Sequence, residues 1–162
     1  YVLGTKTELP IPDSFLIANH LRGPSYVSLE SALSYWGFIP ERTYEISSIT
    51  VKPSKKYNTP IGRFGYQQLP TPYYSYGIRS VELTLNQLVL MASPEKAICD
   101  KIILTANVNL RSIKQTRVFL LDDLRMDENL LRTLNLEIIT TWLEEAPKKN
   151  SLKMLITTLK EL

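Results

Sequence analysis

The spacing of apolar residues changes character twice along the chain. It is helical near the start, shifts to short runs and alternation in the middle, and returns to helical spacing from about position 93 onward. Asp13 stands ahead of Phe15, Leu16, Ala18 and Leu21, so a capped helix is expected over 13–20, closed by Gly23-Pro24. A second helix follows Ser28, with Leu29, Ala32, Leu33 and Trp36 on one face. Gly37 is placed to end it in a left-handed cap, with Pro40 beyond.

The segment 44–51 is rich in β-branched and aromatic residues and reads as a strand. Lys52-Pro53-Ser54-Lys55-Lys56 is expected to break it, and 63–69 to resume extended structure before the turn at Pro70-Thr71-Pro72. Further strands are expected at 73–76, 79–85 and 87–92, with turns at Gly77 and Asn86, giving a meander. Ser93-Pro94-Glu95 combines three helix-start preferences, and Ile98, Cys99, Ile102, Ile103, Thr105 and Ala106 then form a broad inward stripe. Helical spacing recurs over 114–124, 134–145 and 152–162. Ser151 is read as the cap of the last segment, ahead of Leu152, Leu155, Ile156 and Leu159. Strands followed by helices, without regular alternation, predict an α+β fold: a largely antiparallel sheet with helices packed on one face and a helical C-terminal third.

The first twelve residues fit a different role. Tyr1-Val2-Leu3-Gly4 reads as the last strand of an upstream element, and Leu9-Pro10-Ile11-Pro12 as a stiff connector. Residues 1–12 are thus expected to be stub and linker, and 13–162 the domain proper. At 162 residues, with 44% hydrophobic and 22% charged, the chain can close one core without staples. Its apolar runs fall far short of the roughly 20 residues of a membrane span. The single cysteine, Cys99, excludes an internal disulfide and suits a reducing compartment, so cytoplasm is the expected location.

Candidate chemistry is sparse. One histidine and one cysteine, about eighty positions apart, give no metal-ligand spacing, and His20 is the only imidazole base, read as a surface or half-buried residue. Asp122, Asp123 and Asp127 lack the alternating ligands and central glycine of a calcium loop. The Gly62-Arg63-Phe64-Gly65 segment reads as a bend because no Lys-Ser or Lys-Thr helix start follows it. A metal-dependent nuclease needs converging acids with a Glu-x-Lys pair, and neither Glu82 nor Glu95 supplies one. No catalytic residue, metal or cofactor is therefore expected.

A formal charge of +3 permits nucleic-acid contact without advertising it. The informative cations are Lys52, Lys55, Lys56 and Arg63, interleaved with Tyr57, Phe64 and Tyr66, which together form a candidate phosphate-contacting rim. The competing reading is that lysines on an edge strand simply block aggregation. Tyr73, Tyr74 and Tyr76 are readable either as interface anchors or as sheet packing.

The segment Pro24-Ser-Tyr-Val-Ser-Leu-Glu-Ser-Ala-Leu-Ser-Tyr-Trp-Gly-Phe-Ile-Pro-Glu resembles the signature of the AbiEi family, antitoxins of type IV abortive-infection toxin-antitoxin systems that serve in phage defence. Three stretches are similar in the same order: 44–51 with Thr59-Pro-Ile-Gly-Arg-Phe, then Ala92-Ser-Pro-Glu-Lys-Ala-Ile-Cys-Asp-Lys, then Leu121-Asp-Asp-Leu-Arg-Met-Asp. The resemblance spans nearly the whole chain, its first stretch being the most specific.

It implies an antitoxin and transcriptional autoregulator whose N-terminal winged helix-turn-helix reads operator DNA, and whose C-terminal domain, similar to this chain, is needed to neutralise the toxin. The implied toxin is a nucleotidyltransferase-like protein, countered without a stable direct complex. Read physically, the shared motifs are structural: Ser28 and Ser93 as caps, Gly37 as a stop, and Leu29, Leu33, Ile98 and Leu124 as core. Two alternatives stand beside this reading: an interaction domain of an unrelated regulator, and a nuclease or nucleotidyltransferase relic.

Overall fold

The computed structural model describes residues 12–84 and 86–162. The expected stub and linker therefore lie, except for Pro12, outside the described residues.

Asp13 accepts a hydrogen bond from the Phe15 amide at 2.8 Å and opens α1 (Ser14–Leu21). Strand β1 (Ser25–Val27) leads through Ser28 into α2 (Leu29–Tyr35), which ends before Gly37 in left-handed backbone at φ +79°, as its sequence predicts. Then come β2 (Glu45–Thr50), β3 (Lys55–Thr59), β4 (Gly62–Gln68), a 3₁₀ turn (Tyr73–Ser75), β5 (Ile78–Thr84) and β6 (Gln87–Ala92). Helices fill the remainder: α3 (Pro94–Leu104), α4 (Ile113–Arg117) continuing into a π-turn (Val118–Asp123), α5 (Glu128–Leu131), α6 (Leu136–Trp142) and α7 (Lys149–Lys160). The class is α+β, with the C-terminal third helical.

The six strands form one sheet in the order β3-β4-β2-β1-β6-β5. Three ladders are antiparallel, while β1–β6 and β2–β4 are parallel, so the sheet is mixed and the middle of the chain is no simple meander. The β1–β6 ladder is a single pair, Val27 with Met91. Asn19 of α1 extends it, its amide donating to the Leu90 carbonyl at 3.1 Å and accepting from the Leu90 amide at 2.7 Å.

Helices cover both faces of the sheet, where the sequence suggested one. Tyr26 pairs with Ile49 while its neighbour Val27 pairs with Ser48, so in the continuous register Tyr26 and Tyr66 point to opposite faces. The Tyr66 hydroxyl donates to Ala18 of α1 at 2.5 Å, and the Tyr26 hydroxyl to Asp100 of α3 at 3.0 Å. Helix α3 is the central element. Eight of its residues are buried, and α2, α6 and α7 pack around it. The Lys148 ammonium closes its C-terminal end by donating to the carbonyls of Ile102, Thr105 and Val108 at 2.8 to 3.0 Å.

Three local expectations are corrected. Residues 52–56 are not all a break: the chain turns at 51–54, and Lys55 already opens β3, whose extended form comes from pairing with β4 across the Pro60-Ile61 turn. Tyr73-Tyr74-Ser75 is a 3₁₀ turn rather than a strand, because the Tyr73 side chain and carbonyl are both drawn into the core beneath it. Ser151 lies inside α7, whose N-cap is Lys148. The Ser151 hydroxyl instead accepts from the Leu110 amide at 3.0 Å, tying the loop before α4 to the last helix.

Candidate nucleic-acid interface

The four cations singled out in the sequence do not form one patch. In the β3–β4 hairpin Lys56 stands opposite Gly65 and Asn58 opposite Arg63, and residues two apart share a face, so Lys56, Asn58, Arg63 and Gln67 lie together on one side. Lys55, one residue away, points to the other side, its ammonium 4.8 Å from the centre of the Tyr57 ring. Lys52 sits in the loop after β2, at the opposite end of the sheet from Arg63.

The interleaved aromatics also divide. Phe64 and Tyr66 are buried, Tyr66 beneath α1, and half-buried Tyr57 packs edge-on against Tyr66 with ring centres 5.8 Å apart. The Tyr57 hydroxyl accepts from Arg22 at 3.4 Å, which holds that phenol below its ordinary pKa. These three rings cannot stack on a ligand at the Lys56–Arg63 face.

That face belongs to the outer strands β3 and β4 with the start of β2, and its side chains are polar. Parallel pairing sets Glu45 beside Arg63, and the Glu45 carboxylate leans over Gly65 to meet Lys56 at 3.7 Å. The absence of a Cβ at Gly65 makes this close approach feasible. Arg63 has no ion-pair partner among the described residues. Tyr44, immediately before β2, is 96% exposed, the most exposed large hydrophobic side chain among the described residues. Sequence reasoning missed Glu45 because a strand's parity cannot be assigned to a face before its partners are known.

A second polar cluster is buried. Asp100 Oδ2 accepts from the Ser28 hydroxyl at 2.7 Å and from Tyr26 at 3.0 Å, while Oδ1 accepts from Tyr73 at 3.0 Å and lies 3.5 Å from Lys96 Nζ. The Lys96 ammonium donates to the Tyr73 carbonyl at 2.7 Å and stands 3.2 Å from the centre of that ring. Lys96 and Asp100 are both fully inaccessible to solvent. Burial pushes the Asp100 carboxyl above its usual range, opposed by Lys96 and the three hydroxyl donors, and pushes the Lys96 ammonium down, opposed by Asp100.

This cluster clasps the β1–α2 turn, the 3₁₀ turn and α3 to one another. It explains why Ser28 does not cap α2 with its side chain, and it stabilises Leu29 next to it in left-handed backbone at φ +53°. No substrate reaches it. The Lys96–Asp100 spacing of i,i+4 on α3 was its visible signal in the sequence.

The residues weighed for other chemistry are scattered. His20 is exposed on α1, and Cys99 is buried with its thiol pKa pushed up by desolvation. Asp127 caps α5 through the Asn129 amide at 2.8 Å, whereas Asp122 and Asp123 are exposed in the π-turn. Gly62 and Gly65 belong to β4 rather than to a bend, and Tyr73 is a core residue. Among the described residues there is no group of three or more His, Cys, Asp or Glu able to hold a metal, and no helix long and apolar enough to cross a membrane. No protein-family model matches the chain, and no curated protein matches it either.

Proposed function

We propose that this chain is the C-terminal domain of an AbiEi-like antitoxin and transcriptional autoregulator, acting without catalysis in a type IV toxin-antitoxin system. The observation that carries the reading is the meeting of two stretches that resemble the family. Residues 24–41 supply Tyr26, Ser28 and Glu30, and residues 92–101 supply Lys96, Asp100 and Lys101. Tyr26, Ser28, Lys96 and Asp100, with Asp100's further partner Tyr73, form the buried clasp, and Lys101 pairs with Glu30 beside it. Segments seventy residues apart that share a resemblance thus depend on each other physically.

In this reading operator DNA is bound mainly by an upstream winged helix, and the face carrying Lys56 and Arg63 adds phosphate contacts, with Lys52 and Lys55 outside its centre. The toxin, a nucleotidyltransferase-like protein encoded nearby, is countered functionally and in the cytoplasm. Co-expression tests the antitoxin role: the full natural protein restores growth that the neighbouring gene product alone arrests. Continued arrest, with the protein folded and expressed, refutes it. For the DNA contact, alanine at Lys56 and Arg63 weakens operator binding and flattens its salt dependence by about one unit of slope per lost phosphate contact. Alanine at Lys52 and Lys55 has a smaller effect. An unchanged slope in the Lys56/Arg63 variant removes this face from the interface.

A further inference from the structure

We infer that the groove along α4 and the π-turn is a self-association surface, across which a second copy of this chain lays the same segment antiparallel. The inference is independent of the antitoxin reading and concerns a different part of the molecule from the Lys56–Arg63 face.

The segment begins as an α-helix at Ile113 and widens into a π-turn from Val118, a local form that often marks working surfaces. Its inner side is secured by buried Thr116, Phe119 and Leu120. Arg117 ties it to the end of α7, donating to the Glu161 carbonyl at 3.0 Å. Its outer side is a groove of about 430 Å³ lined by Ile113, Lys114, Arg117, Val118, Leu121 and Asp122. All six come from this one segment, so among the described residues no other element closes the groove. Val118, midway along it, is 41% exposed, and Ile113 and Leu121 beside it are only half-buried.

The charges identify the occupant. Lys114 and Asp122 stand four residues either side of Val118, both exposed, and neither has an ion-pair partner among the described residues. A second copy docked parallel would set Lys114 against Lys114 and Asp122 against Asp122. Docked antiparallel about a twofold axis at Val118, it sets each Lys114 against Asp122 of the other copy. Val118 then meets itself, and Leu121 of each copy falls on the Ile113–Arg117 turn of the other, where the Arg117 stem adds apolar surface. The twofold makes every contact twice and leaves no open end, so assembly stops at a dimer. Six lining residues a side are far fewer than the roughly 20 to 30 of a standard interface, so the dimer is weak and its population follows concentration.

The test is sedimentation of this chain at low salt between about 10 and 500 μM, the range in which a small interface associates. The expected result is a mass that climbs with concentration from 18.6 kDa towards twice that value. Lys114→Glu and Asp122→Lys each set like charges opposite one another at both ends of the contact, and each should weaken self-association about tenfold or more. An equal mixture of the two variants should pair again, because every contact in the mixed dimer joins an acid to a base. The chain carrying both changes should likewise regain the original affinity. Both positions are exposed, so circular dichroism should show the fold unchanged in every variant. A chain that stays monomeric across the range overturns the inference. Association that neither variant weakens places the contact elsewhere and overturns it too, as do single variants that fail to pair on mixing.

Discussion

Replacing Asp100 with Asn tests whether the buried clasp holds the fold together. The carboxylate now accepts three hydroxyl hydrogen bonds and stands 3.5 Å from an ammonium that no solvent reaches. Asparagine keeps one acceptor but turns the other oxygen into a donor aimed at hydroxyls and an ammonium. Lys96 is left charged against a single carbonyl and a ring, or loses its proton. Removing one member of a buried ion pair costs roughly 3 to 5 kcal/mol, because the surviving charge is uncompensated.

Set against a total stability of roughly 5 to 15 kcal/mol, that is about a fifth or more of what such a domain has. It corresponds to a fall in Tm of about 6 to 20 °C at this chain length. Lys96→Met leaves Asp100 with its three hydroxyl donors or a proton, and should cost less, about 1 to 3 kcal/mol. In the double variant no orphaned charge remains, so the two losses are less than additive by about 2 kcal/mol. Urea unfolding followed by circular dichroism measures all three variants. A loss under about 1 kcal/mol for Asp100→Asn, or strict additivity, refutes the account.

Two further outcomes follow from burial. Desolvation first, and then the Asp100 charge, raise the phenols of Tyr26 and Tyr73 well above 10; burial also raises Tyr74 and pushes Tyr66 up to about 12. The native state therefore holds protons that the unfolded chain releases near pH 10, so stability is intact below that value and is lost as pH rises through it. Absorbance at 295 nm should show these four phenols ionising only together with alkaline unfolding. A single reversible step for all nine tyrosines near pH 10 with the circular dichroism unchanged would contradict this. At Gly77, where φ is +65°, a Cβ would stand 2.8 Å from Lys96 Cβ and 2.8 Å from the Trp142 ring, so Gly77→Ala should cost roughly 2 to 5 kcal/mol. At Gly65 the obstacle is the flexible end of Glu45, so Gly65→Ala should cost less than about 1 kcal/mol and mainly release Lys56. Similar urea midpoints for the two variants would refute the distinction.

Much of the architecture was legible in the sequence because it is encoded over short distances. Asp13 and Ser93 cap helices through their own side chains, Gly37 ends α2 in left-handed backbone, and the apolar stripe of α7 and that of α3 through Ile103 are buried as expected, whereas Thr105 and Ala106 lie past the end of α3 and Ala106 is exposed. Each of these depends on residues within a turn or two of one another, which is the range over which helical periodicity and capping act. The α+β class follows from the same local signals.

What the tertiary structure decided is which side of the sheet each residue serves. Parallel pairing of β2 with β4 and the outer position of β3 separate Lys55 from Lys56, gather Lys56 with Arg63, and set Glu45 on their face. A strand's alternation fixes two faces but not which faces the core, and a one-residue change of register would exchange them. The clasp has the same origin. Ser28, Tyr73 and Ser151 each have a sensible local role in the sequence, as cap, strand residue and cap. Each is redirected by a partner at least twenty-seven residues away, whose burial makes an unsatisfied polar group costly.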